Sequence, residues 1–465
     1  MSLGGHMHLA VIVLAAGKGT RMKSELPKVL HRACGRSLLE WALATAAPLA
    51  ADETVVVVGH GADDVVASLP DGAIAVVQEP QLGTGDAARV GFGACTPDAD
   101  TVLVILGDMP LLRPSTLEAV IDTHNAEQAA VTILTAVFQD PTGYGRVVRQ
   151  DDQVVGIVEE RDADEEQRAI KEMNVSVYAF DAAVLGDVLG RLRSDNDQGE
   201  YYLTDVIETL AADGARIASV VADEAECVGV NSHADLALVA KVLRRRINDQ
   251  LMQDGVAILD PDRAYIDAGV EVAPGAQILP DVYLQGDTSI EGGAVVGPSV
   301  HATDSSIASG AIVRYSVLDG ASVGAEATVG PYTYLRPGTE LAVDSKAGSF
   351  VEIKKSRVGP RSKVPHLSYI GDTTIGEDSN VGAATITANY DGFEKNRTEI
   401  GDRVKIGSDT ILVAPVSVGD DAYTGAGSVI SQDVSPGALA LERSHQEEIP
   451  GYAERRKRRA SGDRE

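Results

Sequence analysis

A glycine-rich loop near the start of the chain carries the first residues whose types suit a chemical role. Residues 14–22 read LAAGKGTRM and are followed by Lys28. Backbone amides in such a loop can wrap a phosphate or a nucleobase, and the side chains of Arg21 and Lys28 would neutralise negative charge. The glycine spacing fits neither the dinucleotide-binding fingerprint nor a Walker loop. A bare glycine-rich turn can be purely structural, but the adjacent cations favour an anion-binding loop.

A carboxylate and an amide occupy two further positions that directly follow apolar runs. Asp108 comes after the run 102–106, and Gln78 stands before the turn Leu82-Gly83-Thr84-Gly85. Asp108 would either cap the next helix or, opposite a phosphate loop, hold Mg²⁺, which prefers one or two protein oxygens and phosphate ligands. The glycines after Gln78 allow a base or ribose to approach the backbone closely. Together the three groups predict a metal-assisted phosphate site.

A second set of reactive side chains lies late in the chain, where the surrounding sequence is rich in Gly, Ser and Asp. A free amine that attacks a thioester must lose one proton, and histidine is the residue type here that titrates near neutrality. We therefore predict that His366 is the general base for acyl transfer to an amino sugar phosphate, with a structural hydrogen-bonding role as the alternative. The polar residues around it are Arg336, Lys354, Lys355, Tyr369, Asn380 and Lys395.

The first half of the chain alternates apolar runs with helix-like stretches. This alternation predicts an α/β fold with an open, mostly parallel sheet and helices on both faces. Ligands bind such sheets at the carboxyl ends of the strands, where the glycine-rich loop and Asp108 fall. The predicted strands are Leu9–Leu14, Thr54–Val58, Ala73–Val77, Thr101–Leu106 and Val131–Val137, and the clearest predicted helices are Leu38–Ala47 and Pro114–Asn125.

The second half of the chain repeats with a period of six residues. Such a period suits neither an amphipathic helix nor a hairpin, but it suits three short parallel strands wound as a prism. With faults, the repeat continues to about Val434, and its largest interruption separates Thr387 from Ile400. Before it, 234–252 is predicted to be a helical connector with one apolar face. The aliphatic residues that set the period are Ile266, Val272, Ile278, Leu284, Ile290, Val296, Val317, Val323, Val329 and Leu335.

Composition limits the classes of function that remain. The chain has 465 residues and a formal charge of −29. The length predicts two large domains, and the negative charge argues against a nucleic-acid or acidic-membrane partner. No apolar run approaches the roughly 20 residues needed to span a bilayer, and the N-terminus lacks the regions of a signal peptide, so we expect a cytoplasmic protein.

Cysteines and termini add three smaller expectations. Cys34, Cys95 and Cys227 are too widely spaced for a disulfide framework or a metal knuckle, so we expect them to be buried small hydrophobic residues. Residues 1–6 are expected to be a non-native extension before a start near Met7. The basic tail 454–465 is expected to be disordered rather than to form a lip for an anionic cofactor.

The first half resembles the sugar nucleotidyltransferase family. The resemblance rests on Gly17-Lys18-Gly19-Thr20-Arg21, Pro27-Lys28, Gly143-Tyr144-Gly145-Arg146, Val158-Glu159-Glu160, Asn174 and Gly229-Val230-Asn231. It implies that a sugar 1-phosphate attacks the α-phosphate of a nucleoside triphosphate and releases pyrophosphate. Lys28 and Arg21 would contact phosphates, and Asp108 and Asn231 would hold Mg²⁺. The implied nucleotide and sugar contacts are Leu14, Ala15, Ala16, Gly17, Lys28, Gln78, Gly83, Thr84, Gly145, Glu159, Asn174 and Asn231.

The second half resembles the acetyltransferase domain of the bacterial bifunctional enzyme family that makes UDP-N-acetylglucosamine, a precursor of peptidoglycan. The resemblance rests on 348–355, 366–369, 389–392 and 407–410, and it includes the nucleotidyltransferase half in the same order. Pro365 and Ala384 stand where many members have glycine, as in the actinobacterial branch, and Pro365 restricts its neighbours' backbone.

That resemblance implies a full set of roles. His366 would be the general base, and the substrates would be glucosamine 1-phosphate, N-acetylglucosamine 1-phosphate, UTP and acetyl-CoA. It also implies a left-handed parallel β-helix of hexapeptide repeats, a homotrimer assembled through it, and domains at 7–233 (uridyltransferase), 234–255 (linker) and 256–465 (acetyltransferase). The residues implied to bind glucosamine 1-phosphate are Arg336, Lys354, Tyr369, Asn380 and Lys395, and those implied to bind or flank acetyl-CoA are Ala383, Asn389, Tyr390, Ser408, Ala426 and Arg443.

Two alternatives remain compatible with such a domain order. One is a nucleotidyltransferase for glucose or mannose 1-phosphate with the solenoid as an oligomerising spacer, but it does not explain Lys354, His366 and Lys395. The other is a non-enzymatic scaffold subunit, which would not need the Gly-Lys-Gly-Thr-Arg loop or Asp108.

Overall fold

The protein consists of two compact units, here described from a computed structural model. The structure describes residues 7–196 and 198–461. The first unit ends at Arg246 and the second begins at Ile247. Residues 1–6, expected to be a non-native extension, lie outside the described residues. The domain limits proposed from the sequence stay predictions; one helix, His233–Gln253, runs across the first of them and across the boundary between the units.

The first unit is built on a mostly parallel sheet, which confirms the predicted fold class. Its strands run in the order β11-β7-β10-β6-β1-β4-β5, and β10 is antiparallel to both of its neighbours. A hairpin of β8 and β9 joins β10, and β2 and β3 form a separate ribbon. The strands are β1 (Leu9–Leu14), β2 (Arg32–Ala33), β3 (Arg36–Ser37), β4 (Glu53–Val58), β5 (Ile74–Val77), β6 (Thr101–Leu106), β7 (Val131–Val137), β8 (Arg146–Gln150), β9 (Gln153–Val158), β10 (Glu172–Asp181) and β11 (Ile217–Ala222).

Helices cover both faces of this sheet. Alternate residues of β1 belong to different cores: Ile12 packs with α3, α6 and α7, whereas Val11 packs with α1 and α4. Burial on both faces explains why the central strands are continuous apolar runs. The helices are α1 (Leu38–Ala46), α2 (Ala62–Ala67), α3 (Thr84–Phe92), α4 (Pro114–Glu127), α5 (Glu165–Arg168), α6 (Ala182–Leu189), α7 (Asp205–Ala212) and α8 (His233–Gln253), with short 3₁₀ turns at Thr20–Met22, Lys28–Leu30, Ala47–Leu49 and Glu224–Glu226.

The second unit is a parallel β-helix made of three sheets, as the six-residue period predicted. Successive coils pair in parallel register along each sheet. The first sheet contains Ala257–Ile258, Gln277–Ile278, Val295–Val296, Ile312–Val313, Thr328–Val329, Lys346–Ser349, Lys363–His366, Asn380–Val381, Lys405–Ile406, Tyr423–Thr424 and Leu439–Ala440. The second contains Ala264–Ile266, Val282–Gln285, Val300–Thr303, Val317–Asp319, Tyr334–Leu335, Glu352–Lys354, Tyr369–Gly371, Ile386–Ala388, Ile411–Val413 and Val429–Ile430. The third contains Glu271–Val272, Ser289–Ile290, Ser306–Ile307, Ala321–Val323, Thr339–Leu341, Arg357–Val358, Thr373–Ile375, Thr398–Ile400 and Val416–Val418. A 3₁₀ turn, Pro261–Arg263, precedes the first strand of the second sheet.

One predicted inward position is wrong. Val317 is 45% exposed, and its neighbour Leu318 points into the core at 1%. Successive inward residues are usually six positions apart, but Val313 and Leu318 are separated by five. The inward position on this side of the prism is therefore Leu318, one residue after Val317. The other members of the predicted period are buried, except Val272, which is partly buried and packs against the same core.

The tail and the cysteines also differ in part from expectation. Tyr452–Ala460 forms helix α9, and every residue in it is exposed, so the prediction of disorder is wrong for that segment. Its Glu, Lys, Arg and Ala residues have high helix propensity. Cys227 is buried as expected, whereas Cys34 and Cys95 are only partly buried.

Within residues 7–196 and 198–461, no helix combines the length and the apolar character needed to cross a membrane.

Candidate active sites

A cavity of about 420 Å³ lies at the carboxyl ends of β1, β5 and β6 in the first unit. This is the edge of a parallel sheet at which ligands bind. The structure gathers there the predicted residues Leu14, Ala15, Ala16, Gly17, Lys28, Gln78, Gly83, Thr84 and Asp108. It adds the lining residues Lys18, Val29, Gln81, Ala87, Leu106 and Glu200, which sequence reasoning did not assign.

Two cations and two oxygen ligands meet at one end of this cavity. The carboxylate of Asp108 pairs with the ammonium of Lys28, and both side chains are more than four-fifths buried. Asn231 Oδ1 accepts hydrogen bonds from Lys28 Nζ at 3.0 Å and from Arg21 Nη2 at 2.8 Å. Oxygens of Asp108 and Asn231 therefore converge on one positive centre, as ligands of a metal ion would.

The side chain of Gln78, which also lines this cavity, is held by two hydrogen bonds. Its Nε2 donates to the carbonyl of Gly83 at 3.0 Å and to Asp86 Oδ2 at 2.8 Å. Gly83 has φ +108°, and a Cβ at this position would lie 2.5 Å from the carbonyl oxygen of Tyr201. Only glycine therefore fits the turn that precedes Thr84, the first residue of α3.

Gly145, Glu159 and Asn174 meet beside β10. The N–H of Asn174 donates to the carbonyl of Gly145 at 2.9 Å, and its side-chain amide donates to the hydroxyl of Tyr178 at 2.7 Å. A Cβ on Gly145 would lie 3.6 Å from the carboxylate of Glu159. Burial raises the pKa of the Glu159 carboxyl, although a hydrogen bond of 3.1 Å from the Thr204 hydroxyl opposes this shift.

In the second unit, one carboxylate connects two of the predicted polar residues. Asp372 Oδ2 accepts hydrogen bonds from Lys354 Nζ at 3.2 Å and from Asn389 Nδ2 at 2.5 Å. A Cβ built on Gly371 would lie 2.5 Å from the hydroxyl of Tyr369 and 2.7 Å from Asn389 Nδ2. Lys354, Tyr369 and Asn389 thus surround the same short stretch of backbone.

Lys395 joins this group from the loop that follows Asn389. The hydrogen-bonding contact with Lys354 and its positive charge lower the pKa of the Lys395 ammonium. Burial opposes the charge on Lys354, but its interactions, including the hydrogen bond to Asp372, outweigh burial and raise the pKa of Lys354. Two adjacent ammonium groups form a site for an anion with more than one negative charge.

His366 belongs to a column of equivalent positions in successive coils. Its carbonyl accepts a hydrogen bond from the N–H of Ala384 at 3.4 Å, and the pattern repeats along the β-helix. The corresponding bonds are Leu367 N–H to Ser349 O (2.9 Å), Asp409 N–H to Ala383 O (2.7 Å) and Gly427 N–H to Ser408 O (2.9 Å), and Arg443 Nη1 donates to Ala426 O (3.2 Å). The structure therefore aligns His366 with Ala383, Ser408 and Ala426, and the side chain of Arg443 contacts the last of these.

The remaining predicted residues lie around these two groups. Arg336 pairs with Glu352 at 2.8 Å, one coil before Lys354. Asn380 is paired with Lys363 on the sheet that carries His366, one coil further along. Tyr390 is 61% exposed and donates its hydroxyl to the carbonyl of Gly392 at 2.7 Å. The structure brings Asn389 to Lys354 and Asp372 rather than into the column of His366.

Several supporting residues were missed by sequence reasoning. Asp372 stands at a coil corner, where the repeat accepts aspartate as an ordinary turn residue, so nothing in the sequence marked it. Asp235 Oδ2 accepts the N–H of Asn231 at 2.9 Å, and Thr204 contacts Glu159; both lie in segments without a motif. Arg146 was only part of a motif, yet it is 1% exposed and pairs with Glu160 at 2.6 Å.

Two known domain families match the chain. Residues 11–175 match the MobA-like NTP transferase domain, which agrees with the cavity at the strand ends. Residues 397–432 match the bacterial transferase hexapeptide family, described as six repeats.

Relatives match over nearly the full chain. The bifunctional protein GlmU of Streptomyces coelicolor is 48% identical over 96% of this chain and 94% of its own length. The protein of the same name from Mycolicibacterium vanbaalenii is 48% identical over 96% of this chain and 93% of its own length. For Desulfitobacterium hafniense the identity is 43% over 97% of this chain and the whole of the relative. The chain therefore belongs to the family of bifunctional GlmU proteins.

Proposed function

We propose that this protein makes UDP-N-acetylglucosamine in two steps, one in each unit. The second unit would transfer the acetyl group of acetyl-CoA to the amine of glucosamine 1-phosphate. The first would then transfer uridylyl from UTP to N-acetylglucosamine 1-phosphate and release pyrophosphate. The observation that carries this proposal is the presence, in one chain, of a cavity with paired cations at the strand ends of the first unit and of a lysine cluster around Asp372 on the β-helix of the second.

Uridylyl transfer needs little proton chemistry and much charge stabilisation. The phosphate oxygen of the sugar attacks the α-phosphorus of UTP, a P–O bond forms, and the bond to pyrophosphate breaks. Lys28 and Arg21 would balance the charge on the phosphates, and the fixed amide of Gln78 with the backbone at Gly83 and Thr84 would bind uracil. Gly145, Glu159 and Asn174 would bind the acetylated sugar.

The oxygens of Asp108 and Asn231 fit a magnesium ion. They converge on one ammonium group, and Mg²⁺ accepts one or two protein oxygens if phosphates and water complete its shell. Among the residues that the structure describes, no three His, Cys, Asp or Glu side chains gather as a metal site, so phosphate ligands would be required. When bound, Mg²⁺ would neutralise charge on the phosphates. The ammonium of Lys28, which now contacts the oxygens of Asp108 and Asn231, would then move toward the phosphates.

Acetyl transfer requires a base and an anchored sugar. The amine nitrogen attacks the thioester carbonyl, a C–N bond forms and the C–S bond breaks; His366 takes the amine proton and returns it to the leaving sulfur, which departs as the free thiol of CoA. Lys354, Lys395 and Arg336 would bind the phosphate, and Tyr369 and Asn380 the sugar. Ala383, Ser408, Ala426 and Arg443 would line the path of acetyl-CoA, flanked by Asn389 and Tyr390.

We also propose a homotrimer assembled through the β-helix and a cytoplasmic location, where UTP and acetyl-CoA are available. An open groove of about 720 Å³ in the second unit supports the first point, because aromatic surfaces of this kind mark protein interfaces. The groove is lined by Tyr283, Tyr315, Tyr332, Tyr334 and Phe350. Light scattering of the purified chain should give three times the monomer mass; a monomer would contradict this assembly.

One assay tests the proposed reactions. The chain is incubated with glucosamine 1-phosphate, acetyl-CoA, UTP and Mg²⁺, and free thiol and pyrophosphate are measured separately. We expect both products, with thiol appearing first. Thiol alone would leave the first unit without its proposed activity, pyrophosphate alone would remove the activity of the second unit, and neither would refute the proposal.

A further inference from the structure

Asp372 occupies the centre of the polar cluster in the β-helix, although no chemical step requires a carboxylate there. Its Oδ2 accepts from both Lys354 Nζ (3.2 Å) and Asn389 Nδ2 (2.5 Å). The side chains of Lys354 and Asp372 are 10% and 15% exposed. One oxygen therefore organises two side chains that come from different coils.

The buried charge of Lys354 depends on this carboxylate. An ammonium has three donors and no acceptor, so in a site with little water it needs an acceptor or a counter-charge. Breaking a buried pair by removing one partner leaves an uncompensated charge, which is strongly destabilising. Without Asp372, Lys354 would leave its position or lose its proton more readily, and both changes would weaken the binding of a phosphate.

Asp372 also anchors the loop that carries Lys395. Asn389, held by the carboxylate, accepts the N–H of Asn396 on its carbonyl at 2.7 Å, which closes the base of the loop. The backbone carbonyl of Asp372 accepts the N–H of Thr398 at 3.2 Å, where the chain rejoins the β-helix. Both ends of segment 389–398 are therefore tied to the same residue.

We propose that Asp372 is a positioning residue for the acetyltransferase site: it holds Lys354 and the base of the 389–398 loop so that Lys354 and Lys395 together face the phosphate of the amino sugar. This proposal rests on the proposed acetyl transfer to glucosamine 1-phosphate. It assigns Asp372 no role in proton transfer, which remains with His366.

The electrostatics of the cluster provide a readout that a purely structural residue would not change. Lys354 lowers the pKa of Lys395, whereas the charge of Asp372 raises it. As pH rises, Lys395 is therefore the first of the two lysines to lose its proton. Removing the carboxylate should lower the pKa of both lysines, so the sugar phosphate should begin to lose affinity at a lower pH.

The test compares Asp372→Asn with Asp421→Asn in the full chain. Asp372 and Asp421 have the same left-handed backbone, with φ 50° and 57°, and asparagine tolerates that conformation. Asp421 pairs with Arg403 on an exposed face and serves as the matched control.

We expect Asp372→Asn to raise KM for glucosamine 1-phosphate by about tenfold to a hundredfold, with a smaller change in kcat. The alkaline limb of the kcat/KM profile should move to lower pH, while uridylyl transfer and the control stay as in the unaltered protein.

Each result supports or overturns the proposal. An unchanged or lower KM, or an alkaline limb that stays in place, would overturn it. If Asp372→Asn does not fold, Asp372→Glu keeps the charge but displaces it by one methylene; a raised KM would support positioning, and an unchanged KM would refute it. Failure of the proposed function would look different, because the unaltered chain would then release no thiol from acetyl-CoA.

Discussion

Gly371→Ala should damage acetyl transfer selectively, because the added methyl group has no room between two side chains of the proposed acetyltransferase site, Tyr369 and Asn389. An ideal Cβ at this position lies 2.5 Å from the Tyr369 hydroxyl and 2.7 Å from Asn389 Nδ2, whereas ordinary contacts begin at 3.4 Å. The difference, 3.4 − 2.5, requires the hydroxyl to move by about 0.9 Å. Gly371 lies in a strand, and its φ is outside the left-handed region, so alanine itself is compatible with the backbone.

The expected loss follows from this displacement. A misplacement of about 1 Å in a group that orients a substrate can cost on the order of 100-fold in rate. That factor corresponds to roughly 2.7 kcal/mol of transition-state stabilisation. The β-helix core lies on the other side of the strand, so we expect the thermal unfolding temperature to change little.

The assay measures thiol release from acetyl-CoA as a function of glucosamine 1-phosphate concentration, and pyrophosphate release in parallel. Gly269→Ala is the matched control, because the nearest atom to its Cβ would be the Gly286 carbonyl at 3.9 Å. Acetyl transfer by Gly371→Ala within threefold of the control would refute the packing argument. Equal loss of both activities would indicate general misfolding instead.

Three further changes address the first unit. Gly83→Ala places a Cβ 2.5 Å from the Tyr201 carbonyl in a left-handed turn, so uridylyl transfer should fall by at least about tenfold while thiol release persists; an active variant would contradict the rigid turn. Thr204→Val removes a hydrogen bond that lowers the pKa of Glu159, so the pKa should rise further and the acid limb of kcat/KM for N-acetylglucosamine 1-phosphate should move to higher pH; an unmoved limb would exclude Glu159 from that profile. Arg146→Met removes a guanidinium that is 1% exposed and leaves the 31% exposed carboxylate of Glu160 to water, so calorimetry should show a loss of about 2 kcal/mol, and an unchanged stability would show that the pair is not needed.

The positions of most first-unit residues could be predicted because parallel strands end at one edge. Once Leu14, Gln78 and Asp108 are assigned to strand ends, their convergence follows from topology. The partners of these residues could not be predicted in the same way. Asp235 meets Asn231 only after the turn into α8 forms, and no motif records that contact.

The β-helix shows the corresponding limit for a repeat. Its period identifies the core, but Val317 and Leu318 are both apolar, so the five-residue side that buries Leu318 was not visible in the pattern. Asp372 was missed for a related reason, since aspartate at a corner fits the repeat whether or not it contacts Lys354. Composition likewise predicted a disordered tail, although the residues of α9 have high helix propensity.

The most direct test of the account asks whether two independent sites share one chain. His366→Ala and Asp108→Ala are assayed separately and as a mixture, with glucosamine 1-phosphate, acetyl-CoA, UTP and Mg²⁺. We expect His366→Ala to release no thiol but to convert added N-acetylglucosamine 1-phosphate to UDP-N-acetylglucosamine. We expect Asp108→Ala to release thiol from acetyl-CoA but to make no UDP-N-acetylglucosamine. The mixture should make UDP-N-acetylglucosamine from glucosamine 1-phosphate. Loss of both activities in either folded variant, or a mixture that makes no product, would contradict the account.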